Sequence, residues 1–239
     1  MGKPATSRLM KAITPWMRRI NKYPGWREWQ QKKIAAAMAV AEGFPLPDGL
    51  EDFVFADPIA QEHAAIESYF DLAGSLYALR DCEYYFRRYP FRGLPVSKHT
   101  HLRNMCEMYF NRFYEFRERL KRCLNAVNAT LPAGELNVGA AIKLFDKDFD
   151  QELRARHRVH HHESYDDLAL RGISVTSLVA TETFPGKGWD QVAERSYRAT
   201  SKAWASRVKS QSKRVETYLE AVADAMLKYC TWLTGPASQ

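Results

Sequence analysis

The chain has 239 residues, of which 46 % are hydrophobic and 13 % aromatic, and it carries a formal net charge of +7. That apolar share is enough to bury a core and excludes a chain disordered beyond its ends. Twelve Gly and eleven Pro, gathered in a few places, favour helices joined by short loops over a β-sandwich, and the basic balance favours polyanionic partners such as nucleic acid.

Residues 1–25 are basic and interrupted by Pro4, Pro15 and Pro24, and they read as an N-terminal basic segment with a short helix over 9–20. The segment lacks the apolar run of a signal peptide. No stretch has the roughly 20 apolar residues of a membrane span, so a cytoplasmic protein without a membrane partner is expected. Residues 26–42 predict a helix with Trp29, Ile34, Ala37, Met38 and Ala41 toward one face. Gly43 ends it, and Pro45 and Pro47 block a restart.

After an irregular connection over 43–57, Asp57 and Pro58 signal a new helix, Asp as a cap and Pro in the first turn. This helix is expected to reach about Tyr89, with Ile59, Ile66, Phe70, Ala73, Tyr77 and Tyr84 as its apolar stripe. Pro90 stops it. Ser97 then caps a second long helix over 98–128, whose stripe is Leu102, Met105, Met108, Tyr109, Phe113, Phe116, Leu120 and Leu124. The short loop between the two predicts an antiparallel pair.

Residues 131–134 form a break, and 135–145 read as weak helix or loop. Phe149 opens a further helix. The β-branched run over 172–180 is expected to be a short strand or an irregular apolar segment. A last long helix over 189–231 buries Val192, Trp204, Val208, Val215, Leu219, Val222, Met226 and Leu227. The expected fold is therefore all-α, a bundle of four to five main helices in a single domain over 26–233, with a frayed tail over 234–239.

Missing frames remove several enzyme classes. The four cysteines, Cys82, Cys106, Cys123 and Cys230, form no CxxC pair, so zinc ribbons and thioredoxin-like centres are excluded and the thiols read as buried apolar groups in a reducing compartment. Gly186-Lys187-Gly188 lacks the frame of a phosphate-binding loop. No GxSxG elbow supports a serine hydrolase. Asp146, Asp148 and Asp150 alternate like the start of a calcium loop but lack its later Gly and Glu. No cofactor is expected.

One segment concentrates reactive side chains. Residues 154–162 hold Arg154, Arg156 and Arg158 with His157, His160, His161 and His162. The plainest reading is a solvated basic helix end, favoured by the macrodipole. A second is a metal-dependent enzyme, because His157 and His161 stand at i and i+4; the flanking Arg charges oppose it, a carboxylate such as Glu163 or Asp166 would have to offset them, and the HExxH order is absent. A third is RNA cleavage without metal. That reaction needs a base for the 2′-hydroxyl proton, an acid for the leaving 5′ oxygen and a cation for the phosphorane charge, all of which imidazole and guanidinium supply near neutral pH. A symmetric dimer would bring two such sets together.

Arg156-His157-Arg158-Val159-His160-His161 resembles the motif of the HEPN superfamily, an Arg followed usually by a polar residue and then, after four to six positions, by a His. Arg154 with His160 or His161 offers an alternative frame, and His162 also fits a permitted frame. The aromatic-basic pattern from Tyr109 to Leu124, ahead of the motif, is similar to bacterial members. The resemblance implies a helical bundle and a metal-independent endoribonuclease, with Arg156 on the scissile phosphate, His161 as general acid/base and His157 assisting. It further implies a homodimer with facing motifs, and a toxin or defence effector with an antitoxin or sensor partner; other members only bind. A non-catalytic helical module that binds RNA or protein is the alternative.

Two further patches can contact RNA. Arg87 and Arg88, with Arg92, are interleaved with Tyr84, Tyr85, Phe86, Tyr89 and Phe91, a pattern that can hold a single strand by stacking and charge, although a core-facing aromatic stripe has the same spacing. Arg158 joins them as a candidate RNA contact. Arg117, Arg119, Lys121 and Arg122 spread around more than one helix face, as a solvated surface does, and the last helix carries Arg195, Arg198, Lys202, Arg207, Lys209, Lys213 and Arg214, which suit RNA or solubility equally.

Overall fold

The computed structural model describes residues 3–45, 51–91, 93, 95–132, 135–160, 164–180 and 188–233. Among the described residues every regular element is helical and no strand occurs. The order is α1 (Ala5–Ile20), α2 (Trp26–Ala41), α3 (Ile59–Arg87), α4 (Lys98–Ala129), α5 (Val138–Asp148), α6 (Asp150–His160), α7 (Leu168–Leu178) and α8 (Trp189–Tyr229), with a 3-10 turn at Thr231–Leu233. The all-α class stands. The expected count of four to five main helices is not matched, because eight α-helices form among the described residues. Only α3, α4 and α8 are long, with 29, 32 and 41 residues, and the others have 11 to 16.

The strand or irregular segment expected near 172–180 is also corrected. Its residues up to Leu178 continue α7, which Asp167 caps by accepting the Leu170 N–H at 2.8 Å. Leu170 and Ile173 are buried three positions apart on one helical face. Burial on a helical period outweighs the weak β-preference of Ile173, Val175 and Thr176.

The chain divides into two compact units, the first of residues 1–67, 126–135 and 220–239, the second of 68–125 and 136–219. In the first, α1 buries Leu9, Ile13, Trp16 and Ile20 along one stripe. Pro15 falls inside the helix but on its exposed face, where the carbonyl it leaves unpaired one turn earlier is open to solvent rather than buried. Glu220 caps the start of α1, accepting from Ala5 N at 2.6 Å and from the Thr6 hydroxyl at 2.6 Å. The Trp16 Nε1–H donates to Glu62 at 2.8 Å. Gly25 at φ 77° turns the chain into α2, and the Trp26, Phe53, Phe55 and His63 rings cluster there. The apolar face expected for α2 is not a core face: the helix buries Trp26 and Ala36, and leaves Ile34 and Met38 60 % exposed.

In the second unit α3 and α4 pair antiparallel. Arg119 Nη1 donates to Asp71 O at 3.0 Å near one end, and His101 Nε2 lies 3.3 Å from Tyr85 O near the other. The α4 stripe is buried at Leu102, Tyr109, Phe113, Phe116, Leu120 and Leu124. The α3 stripe is rotated from expectation: Phe70, Tyr77 and Tyr84 are exposed, and Tyr69, Leu72, Leu76, Leu79, Cys82 and Phe86 are buried instead. Phe145 and Phe149, 4.6 Å apart, seat α5 and the start of α6 on Phe113 and Phe116. No helix among the described residues is long and apolar enough to cross a membrane.

Candidate nucleic-acid interface

Helix α6 is short and strongly polar, and two residues three positions apart, Glu152 and Ala155, hold it to the unit. Asp150 and Glu152 lie in its first turn and His157, Arg158 and His160 in its last, so both ends complement the helix dipole. Glu152 is 2 % exposed and accepts from Arg207 of α8 at 3.0 Å, while the Arg207 guanidinium stands 4.8 Å from the Trp204 ring centre. A buried carboxylate needs such a partner, since leaving water costs several kcal/mol, of order 3–5 if the pair is broken. The Glu152–Arg207 bond therefore sets the rotation of α6 and, with it, the direction of the Arg/His cluster.

That rotation lays Arg156 against α4. Its guanidinium carbon lies 3.9 Å from the centre of the Tyr114 ring, and its Nε–H is buried with no hydrogen-bond partner among the described residues. Arg156 and Tyr114 form a ridge shared by two grooves of about 790 and 800 Å³. Arg119, Lys121 and Arg122 line the first, and Arg117, Arg154, His157 and Arg158 the second.

The acids in these grooves are engaged by neighbouring arginines. Arg117 grips Asp146 through two bonds of 2.6 and 2.8 Å, and Arg154 holds Asp150 at 2.7 Å. Arg119 binds Glu115 and Arg117 also binds Glu118, each at 2.5 Å. Exposed pairs of this kind add little stability, but they neutralise the carboxylates beside Arg156 and leave the grooves net positive.

The structure thus gathers Arg154, Arg156, His157 and Arg158 on one groove. His160 is exposed at the end of α6, and both His157 and His160 have interaction partners. His161 and His162, the expected acid/base and its alternative, lie outside the described residues. Among the described residues no group of three or more His, Cys, Asp or Glu is placed to hold a metal ion. The second candidate patch splits. Phe86 is fully buried and stacks on Trp204, Arg87 lines one pocket beside α8, and Arg88 lines another with Tyr84, Tyr85 and Phe91.

Sequence reasoning missed Tyr114 and the Glu152–Arg207 pair. Glu152 carried a signal, since it falls three residues from Phe149 and from Ala155 on the buried period of α6. Tyr114 carried none, because its partner is 42 residues away. Comparison of the chain with protein-family profiles, curated proteins and solved structures finds no significant match.

Proposed function

We propose that the chain is a metal-independent endoribonuclease of the HEPN type, in which Arg156 holds the scissile phosphate and His161 moves the proton. The supporting observation is the state of Arg156: its guanidinium is fixed on Tyr114, bordered by two basic grooves, and its Nε–H has no hydrogen-bond partner among the described residues. A guanidinium held in advance at a phosphate position loses little freedom when the phosphorane charge develops.

In the proposed reaction a base removes the ribose 2′ proton and the 2′ oxygen attacks phosphorus. The 5′ oxygen leaves with a proton delivered by an imidazolium. The products are a 2′,3′-cyclic phosphate and a 5′-hydroxyl end, so neither metal nor redox partner enters the balance. One copy of the chain offers His161, and a second copy would offer the other group in a dimer. An antitoxin-type or sensor partner would restrain the activity.

The test is cleavage of a mixed-sequence RNA in EDTA by the wild type and by Arg156→Ala and His161→Ala. We expect loss of cleavage in both variants, an unchanged melting curve and cyclic phosphate ends from the wild type. Equal cleavage by all three proteins would reject the assignment. RNA binding without cleavage by the wild type would favour the helical binding module.

A further inference from the structure

We infer that the second unit holds a nucleotide-binding pocket separate from the Arg156 grooves, formed where the end of α3 and the start of α4 meet α8. The pocket has a volume of about 710 Å³, within the usual range for small-molecule sites. Its wall on α8 is Glu194, Tyr197, Arg198, Ser201 and Lys202, which recur every three to four residues and so share one face. Arg87, the last residue of α3, and Lys98, the first of α4, close it from the other side.

The charge chemistry suits phosphate. Four cations, Arg87, Lys98, Arg198 and Lys202, line the pocket with one carboxylate, Glu194. Glu194 is bonded by Lys98 on one oxygen and by Arg198 Nε at 2.8 Å on the other, and both cations hold its pKa below the ordinary value. It therefore draws two cations together while Arg198 keeps both terminal NH2 groups without a hydrogen bond among the described residues. Lys202 is exposed and has no ion pair among the described residues. A phosphate bound by the Arg198 fork and the Lys202 ammonium would complete this set.

One further observation points to a nucleotide rather than a bare anion. The Tyr89 and Tyr197 rings line the same pocket, with centroids 6.0 Å apart and planes at 70°, and aromatic walls beside a cationic floor are what a base and its phosphate require. Tyr197 is only 7 % exposed and its hydroxyl is closed off from the surface, so the ring is the part of it that a ligand would meet. The nucleotide could be free or part of an RNA strand; both offer the same base and phosphate.

The experiment is calorimetric titration of the full chain with adenosine 5′-monophosphate, with adenosine, and with a 2′-O-methyl hexaadenylate bearing a 5′-hydroxyl, which cannot be cut through its 2′ oxygen. The proteins are the wild type, Lys202→Glu, Tyr197→Phe and Arg156→Ala. We expect the wild type to bind the monophosphate or the oligonucleotide and to bind adenosine roughly tenfold more weakly or not at all. Lys202→Glu should weaken that binding by roughly fivefold or more, while Tyr197→Phe, which keeps the ring, and Arg156→Ala should leave the monophosphate unaffected. Binding of the monophosphate assigns a free nucleotide, and binding of the oligonucleotide alone assigns a strand. Absence of both, or binding unchanged by Lys202→Glu, overturns the proposal. Lys202 is solvent-exposed, so its substitution does not threaten the fold. The result is independent of whether Arg156 cleaves RNA.

Discussion

The guanidinium of Arg156 rests on the ring of Tyr114, 3.9 Å from its centre, and so ties the Arg/His helix to α4, which carries the aromatic core stripe. This contact decides where the candidate phosphate ligand stands. Stacking on an aromatic face contributes about 0.5–2 kcal/mol, depending on how dry the site is. Tyr114→Phe keeps the face and should leave single-stranded RNA affinity unchanged. Tyr114→Leu removes it, and we expect affinity to fall by roughly threefold to tenfold at constant salt, read by fluorescence anisotropy. Equal affinity in the two variants would separate Arg156 placement from RNA binding.

Glu152 and Arg207 make a second expectation, about stability. Glu152→Ala leaves Arg207, which is 27 % exposed, without its buried partner and opens space beneath α6. The loss should be about 3 kcal/mol in urea unfolding, with Tyr114–Arg156 contact weakened in turn. Glu152→Leu combined with Arg207→Met should cost less than Glu152→Ala alone, because no charge is stranded. A double variant less stable than the single one would contradict this account.

Acid should destabilise the protein through its histidines. Burial lowers the pKa of His101, which is 4 % exposed, and the same cause lowers His63 and His99. A histidine whose folded pKa is depressed binds its proton more readily when unfolded. Its stabilisation is complete above the unfolded pKa of about 6.5 and is lost as pH falls through the folded value. The melting temperature should therefore drop between about pH 7.5 and 5.5, and His101→Gln, which keeps a donor toward the Tyr85 carbonyl, should show a smaller drop. An identical drop in both proteins would remove His101 from the explanation.

In the first unit the bond from Trp16 to Glu62 is a buried one, costly to leave half-made. Both residues are buried, and Arg19 reaches the same carboxylate at 3.2 Å from a more exposed position. Trp16→Phe retains most of the ring but removes the N–H donor, and thermal unfolding should show a loss of about 1–3 kcal/mol. Adding Glu62→Leu should recover part of it. Failure of the double variant to recover would mean that ring volume, not the hydrogen bond, holds α1.

The sequence by itself determined the all-α class, the three long helices and the core stripe of α4. Helical period, Asp and Ser caps and Pro stops act within a few residues of one another, so a linear reading finds them. It also singled out Arg154, Arg156, His157 and Arg158 by type and spacing. Tertiary structure alone decided which face of α3 is buried, since aromatics stand on two sides of it and only the neighbours in the second unit choose Phe86 over Tyr84. It turned the β-branched run after Gly172 into helix by giving Ile173 a buried place. It also paired Glu152 with Arg207 and Arg156 with Tyr114, because charge and ring contacts between residues 42 to 55 positions apart depend on how helices pack, and no local pattern encodes them.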